Sequence, residues 1–128
     1  MDVIVDSSAW IDFLIGRPAV QVVAAIADGS VVLAPLVIAE VLSGDITPRQ
    51  REMIGELLQE FPHHETPLAH WMAVGALRRT LAARGINVTI PDAHIAQCAL
   101  DRNATLLSRD QIFAHIAAHT SLRLAVLR

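Results

Sequence analysis

The run Asp2-Val3-Ile4-Val5-Asp6 constrains the fold most, because a short β-branched stretch closed at each end by a carboxylate reads as a strand buried on both faces. Ser30-Val31-Val32-Leu33-Ala34 and Ala104-Thr105-Leu106-Leu107-Ser108 repeat the pattern, and Leu122 to Leu127 reads as a last strand. Helical patterns lie between these runs, over Val20 to Ala27, Leu36 to Leu42, Pro48 to Glu60, Pro67 to Arg84, Asp92 to Arg102 and Gln111 to Ala118. Two of them open on Thr-Pro, at Thr47-Pro48 and Thr66-Pro67, which predicts a capping hydroxyl ahead of a proline in the first turn. Doubly buried strands alternating with helices imply a central parallel sheet flanked by helices, since parallel strands need crossover connections. The expected class is therefore α/β. The helices from Pro48 to Arg84 have no strand between them and predict a helical hairpin projecting from the sheet, with Asp45 to Pro48 as the flexible connection.

A chain of 128 residues suits one domain, expected to span 1–128. Hydrophobic residues make up 53% and charged residues 18%, far from the composition of disorder. Gln21, Asp28, Gly29, Ser30 and Pro35 interrupt the apolar stretches before any reaches the ~18 residues of a membrane span. The first apolar run lacks a basic leader, and a secretory signal is not expected. The single cysteine, Cys98, permits no internal disulfide and no cysteine-based metal site, and a reducing cytoplasm fits. The net charge of -3 argues against gripping nucleic acid through bulk positive charge. All 10 basic residues are Arg, whose planar fork suits bidentate phosphate contacts. The absence of Lys removes P-loop, Schiff-base and receiver-type aspartyl-phosphate chemistry.

In an open parallel sheet, ligands gather beyond the carboxyl ends of the strands. Asp6 ends the first strand, and Asp110 follows Leu106-Leu107-Ser108-Arg109 at the start of the last helix. Each has a competing reading as a helix cap, worth about 1 kcal/mol. Asp92 projects, at about 100° per residue, onto the helical face of Ile95, Ala96, Ala99 and Leu100, so it points inward. A capping box with Thr89 has the right spacing but does not explain that direction. Glu40 borders the apolar face of Leu36 to Leu42 and reads alone as a solvated glutamate; its interest is that its helix follows the second strand near the edge where Asp6 lies. If these acids converge, two anions about 4 Å apart repel by roughly 4 kcal/mol at an effective dielectric near 20, and a cation must compensate. An all-oxygen set suits Mg²⁺ or Mn²⁺.

The segments Val3-Ile4-Val5-Asp6-Ser7-Ser8-Ala9-Trp10-Ile11, Leu36-Val37-Ile38-Ala39-Glu40-Val41-Leu42, Pro91-Asp92-Ala93-His94-Ile95-Ala96-Gln97-Cys98-Ala99-Leu100 and Leu106-Leu107-Ser108-Arg109-Asp110-Gln111-Ile112-Phe113 come in this order over nearly the whole chain. Together they resemble the PIN domains, and more closely the VapC-type toxins of prokaryotic toxin–antitoxin pairs. The resemblance implies a metal-dependent endoribonuclease, usually dimeric and held inactive by a VapB-type antitoxin. It implies Asp6 and Asp92 as principal metal ligands, Glu40 and Asp110 as completing the acidic cluster, and Ser7 as a support. A PIN-type nuclease for RNA maturation without an antitoxin, or a PIN-like domain that binds without cutting, are the rival readings.

Arg109 adjoins Asp110 and is a candidate for RNA phosphate, with Arg17, Arg78, Arg79 and Arg84 as a flanking basic strip; any single one reads first as a solvated arginine. His115 and His119 have the spacing of a zinc pair but face away from their helix's apolar stripe, and His63-His64 has no partner pattern. Cys98 and Trp10 read as packing residues. The apolar excess of so short a chain predicts a homodimer and a groove for the antitoxin.

Overall fold

The computed structural model describes residues 1–127, so Arg128, the last residue of the expected domain, lies outside it. Among the described residues the order is β1 (Val3–Val5), α1 (Ser7–Leu14), α2 (Val20–Ala27), α3 (Pro35–Leu42), α4 (Pro48–Leu58), α5 (Leu68–Ala82), α6 (Ile90–Arg102), β2 (Thr105–Ser108), α7 (Gln111–Ala117) and β3 (Arg123–Val126). The three strands pair in the order β1-β2-β3, all parallel, with Val3, Ile4 and Val5 opposite Thr105, Leu106 and Leu107. The class is α/β, as the alternation of patterns requires.

The expected strand over Ser30–Ala34 is corrected to two isolated parallel bridges, Val31 to Val3 and Leu33 to His63. The run is apolar enough, with Val31, Val32, Leu33 and Ala34 all buried. It is cut short because Pro35 has no amide to donate and starts α3 at once. The bridges still extend the sheet: Val3 N–H donates to Ser30 O at 2.9 Å, Val32 N–H to Val3 O at 2.9 Å, and His64 N–H to Leu33 O at 2.8 Å.

Helix α4 starts as expected, with a full capping box in which Thr47 Oγ1 accepts from Gln50 N–H and Gln50 accepts from Thr47 N–H. The matching expectation at Thr66 is corrected: Pro67 is itself the extended N-cap residue of α5, at φ -65° and ψ 169°, and no side chain caps the helix. The expected pair from Pro48 to Arg84 is present as α4 and α5, but each leans on a different neighbour, α4 on α3 and α5 along α6. Helix α1 adds an element that the sequence suggested only through the capping reading of Asp6.

The core gathers Ile4, Val5, Leu106 and Leu107 from the sheet with Trp10, Val37, Leu81, Ile95, Phe113 and Ile116 from the helices. Trp10 is fully buried and meets Phe13 and Phe61 edge to face at 5.8 and 5.3 Å, so it packs as expected. A polar seam crosses this core. Leu36 N–H donates to His94 Nε2 at 3.3 Å, His94 Nδ1 and His70 Nε2 lie 2.8 Å apart, and His70 Nδ1 meets Asp101 Oδ2 at 2.7 Å. A backbone amide only donates, so it fixes the sense of the chain: His94 carries its proton on Nδ1 and His70 on Nδ1, both neutral. The seam ties α3, α5 and α6 together.

Burial and the neighbouring His70 push the His94 pKa from 6.5 down to about 4. An unfolded chain therefore takes up a proton below pH 6.5 that the folded one refuses. The stability His94 contributes is intact above that pH and lost as pH falls toward about 4, up to about 3 kcal/mol at about 1.4 kcal/mol per tenfold difference in proton affinity. Urea unfolding in EDTA between pH 7 and 4 should show this slope in the wild type, and His94→Gln should flatten it.

Candidate metal centre

The parallel pairing of β1 and β2 sets two carboxylates side by side at the carboxyl edge of the sheet. Asp6 follows β1 directly, and its N–H still donates to Leu107 O at 3.2 Å. It is buried, at 4% exposure, and its side chain is fixed from several sides. Oδ1 accepts from Ala9 N–H and from Ser8 Oγ, each at 3.0 Å, which makes Asp6 the N-cap of α1. Oδ2 accepts a short hydrogen bond from Ser108 Oγ, at the end of β2. Ser108 Oγ in turn accepts from Asp110 N–H at 2.9 Å, and Asp110 Oδ1 accepts from Ile112 N–H at 3.0 Å as the N-cap of α7. The capping reading is thus true of both aspartates and does not compete with their convergence, since a cap occupies one carboxylate oxygen and leaves capacity on the other.

Asp92 enters from α6. That helix starts two residues earlier than expected, at Ile90, with Thr89 as N-cap accepting from Asp92 N–H at 3.3 Å. This puts Asp92 in the first turn, half-buried. Its pKa is raised, first by burial and then, against the lowering effect of a hydrogen bond from Thr89, by the charges of Asp110 and Asp6. Glu40 comes from the second turn of α3 and is more exposed. Its pKa is also raised, by burial first and then by Asp92 and Asp6, while a hydrogen bond from Ser7 lowers it. The four expected acids therefore form one electrostatically connected set, with Ser7 bonded to Glu40.

The basic residues do not converge in the same way. Arg109 is turned back onto α1, in a short ion pair with Asp12. Arg17 follows the far end of α1 and Arg84 follows α5, both exposed. Arg78 donates to Val88 O at 2.8 Å and shares a shallow cleft with Arg79, Asn87 and Ala82. His115 and His119 are exposed, as expected. His64, by contrast, is buried and partnered by Asp101 at 3.0 Å, which corrects its reading as a histidine without a pattern. Sequence reasoning also missed Ser108 and Ser8 as supports of Asp6. The available signal was a hydroxyl closing an otherwise apolar strand.

The donor chemistry fits a hard divalent cation. All four side chains offer oxygen, and two are held above their ordinary pKa by burial and mutual repulsion, which a cation would relieve.

Comparison with known proteins agrees with this architecture. A family described as the PIN domain matches residues 3–119. No curated protein matches the chain in sequence. Among solved structures, VapBC2 from Rickettsia felis, bound to a DNA fragment from their promoter, superposes with a TM-score of 0.81 at 16% identity, covering 98% of each chain. VapBC-1 from nontypeable Haemophilus influenzae gives 0.78 at 22% identity, again over 98% of each chain. VapBC-5 from Mycobacterium tuberculosis, a member of the VapBC family of toxin–antitoxin systems, gives 0.74 at 23% over 98% of this chain and 99% of that one. At such identities the likeness is one of fold.

The two kinds of carboxylate respond oppositely to removal. In EDTA, Asp92→Asn and Glu40→Gln should raise the melting temperature, because raised carboxylate pKa values cost stability as pH rises through them toward 7. Asp6→Ala should lower stability by about 1–2 kcal/mol through the lost cap, and more through the stranded Ser108 hydroxyl. Added Mg²⁺ should stabilise the wild type and leave Asp92→Asn unmoved. Calorimetry with and without the ion checks all three.

Proposed function

This chain belongs to the PIN-domain family of nucleases, and from that premise we propose that it is a VapC-type toxin: a cytoplasmic endoribonuclease that uses Mg²⁺, with Mn²⁺ as a substitute, to hydrolyse RNA phosphodiester bonds. The observation that carries the proposal is the connected set of Asp6, Glu40, Asp92 and Asp110 at the carboxyl edge of the β1–β2 pair. Asp6, Asp92, Glu40 and Asp110 would hold the ion, which when bound would supply Lewis acidity toward water and charge balance for the phosphoryl group.

The chain's own residues do the positioning. Ser8, Ser108 and the Ala9 amide lock the Asp6 carboxylate in one orientation. Ser7 steadies Glu40, and Thr89 steadies Asp92. Such fixed oxygens need no reorganisation when charge develops at the scissile phosphate, which is where electrostatic catalysis gains most. Asp12 pairs with Arg109, the residue before Asp110, and we assign Arg109 a phosphate contact made in exchange for this partly exposed ion pair. We assign Arg17 and Arg84 the weaker role of extending the RNA path.

Two apolar surfaces support the partners. A groove of about 440 Å³ between α1 and α4 is lined by Ile11, Leu14, Ile15, Val41, Ile46 and Met53. It suits the apolar face of an antitoxin helix. On α5, Leu68, Trp71 and Met72 stand 75%, 37% and 67% exposed at i, i+3 and i+4, a stripe that suits a homodimer. No helix among the described residues is long and apolar enough to cross a membrane.

Purified protein should cut single-stranded RNA with Mg²⁺ and stop with EDTA, and Asp6→Asn or Asp92→Asn should abolish cleavage. Retained cleavage in either variant removes that residue from the site. Met72→Asp should convert a dimer to a monomer by light scattering, while Met53→Glu should weaken antitoxin capture and leave the dimer intact.

A further inference from the structure

The carboxylate centre leaves a second cluster of ligating side chains unused. His64 Nε2 and His70 Nδ1 converge on one oxygen, Asp101 Oδ2, at 3.0 and 2.7 Å. Cys98 lies one turn before Asp101 on α6, and one ligating atom from each of His64, His70 and Cys98 lie within 4.8 Å of one another. His64 comes from the segment between α4 and α5, His70 from α5, and Cys98 and Asp101 from α6. The four therefore meet only in the folded chain. His64, His70 and Cys98 are 9%, 3% and 0% exposed.

We propose that His64, His70, Cys98 and Asp101 form a binding site for a borderline-soft divalent cation, Zn²⁺ above all, separate from the carboxylate centre. Two imidazoles, a thiolate and one carboxylate are zinc's preferred donors, whereas Mg²⁺ takes oxygen. Zinc bonds of about 2.0–2.3 Å place tetrahedral ligands roughly 3.3–3.8 Å apart, so the His64, His70 and Cys98 atoms, within 4.8 Å of one another, draw in by up to about 1–1.5 Å while Asp101 Oδ2, now 3.0 and 2.7 Å from the two imidazoles, backs off by about half an ångström. Finally, Zn²⁺ with one carboxylate and one thiolate is neutral, so a buried site gains no net charge. Burial holds the free Cys98 thiol up at about 12, and zinc is what makes its deprotonation favourable.

The surroundings provide access and orientation. An open pocket of about 590 Å³, lined by His63, His64, Glu65, His70, Asp101 and Arg102, leads from solvent to the cluster. Gln97 Nε2 donates to Asp101 Oδ1 at 2.8 Å and leaves Oδ2 facing the histidines. Without metal, hydrogen bonds satisfy the cluster, and coordination exchanges them. Cys98 releases one proton. Ligation through Nε2 moves the His64 proton to Nδ1 and ends its 3.4 Å contact with Arg102. Ligation through Nδ1 moves the His70 proton to Nε2, turns His94 to its Nε2–H tautomer and breaks the Leu36 N–H bond at the start of α3. Zinc loading is thereby felt on the helix that carries Glu40.

The test uses the full chain with Asp6→Asn and Asp92→Asn, which disables the carboxylate centre so that only the second site reports. Zn²⁺ should bind at one equivalent per chain, survive gel filtration, raise the melting temperature and shift the Leu36 amide resonance. Co²⁺ in its place should give tetrahedral visible bands and a thiolate-to-cobalt charge-transfer band. Cys98→Ser should lose the charge-transfer band, and His64→Asn, which also gives up the hydrogen bond to Asp101 and so lowers the metal-free melting temperature, should lose at least tenfold in zinc affinity. Absence of retained zinc, cobalt bands without thiolate character, or wild-type affinity in His64→Asn each overturns the assignment.

Discussion

The parallel pairing of β1 with β2 is the contact on which the rest depends. It joins Asp6 to Ser108 across 102 residues and sets both strand ends at one edge of the sheet. Parallel strands cannot be joined by a tight turn, so everything from α1 to α6 is the crossover between them. The crossover is long enough to return to the same edge twice, once with Glu40 on α3 and once with Asp92 on α6. With Asp6, Glu40, Asp92 and Asp110 at these positions, closing the pair concentrates negative charge.

That concentration sets one region of the molecule against another. Asp6 is stabilised by three donors, while Glu40 and Asp92 sit partly desolvated and repelled by their neighbours. The protein carries the unfavourable pair because Asp6 and Asp110 are also helix caps, so much of the site's framework is stabilising even without a cation. Helix α6 has the same divided character along its length. Its first turn presents the Asp92 carboxylate to the other acids, and its middle and last turns present His94, Cys98 and Asp101, whose partners are imidazoles.

The apolar excess of the sequence is also resolved in space. The fully buried cluster takes most of it, and much of the remainder lies in the α1–α4 groove and on the α5 stripe rather than scattered. The α5 stripe lies on a helix that carries none of the four acids, whereas the groove shares α1 with Ser7 and Ser8 and α3 with Glu40, through different side chains.

Much was legible in the chain itself. Runs such as Val3-Ile4-Val5 and Leu106-Leu107 specify buried parallel strands by composition, and Thr47-Pro48 specifies a helix start by local hydrogen bonding, since both signals act within a few residues. Helical periodicity set Asp92 on the apolar side of its helix, and in the fold it is half-buried. Three features were decided only by tertiary structure. Ser30 to Ala34 has the composition of a strand, yet its extent depends on partners and on Pro35. Glu40 looks solvated in its own helix, and only the approach of Ser7, Asp92 and Asp6 gives it a neighbourhood. His64, His70, Cys98 and Asp101 carry no spacing rule, because they come from separate segments joined by packing. Sequence determines what depends on neighbours along the chain; the fold decides what depends on neighbours across it, and the carboxylate set and the histidine–cysteine cluster are both of that second kind.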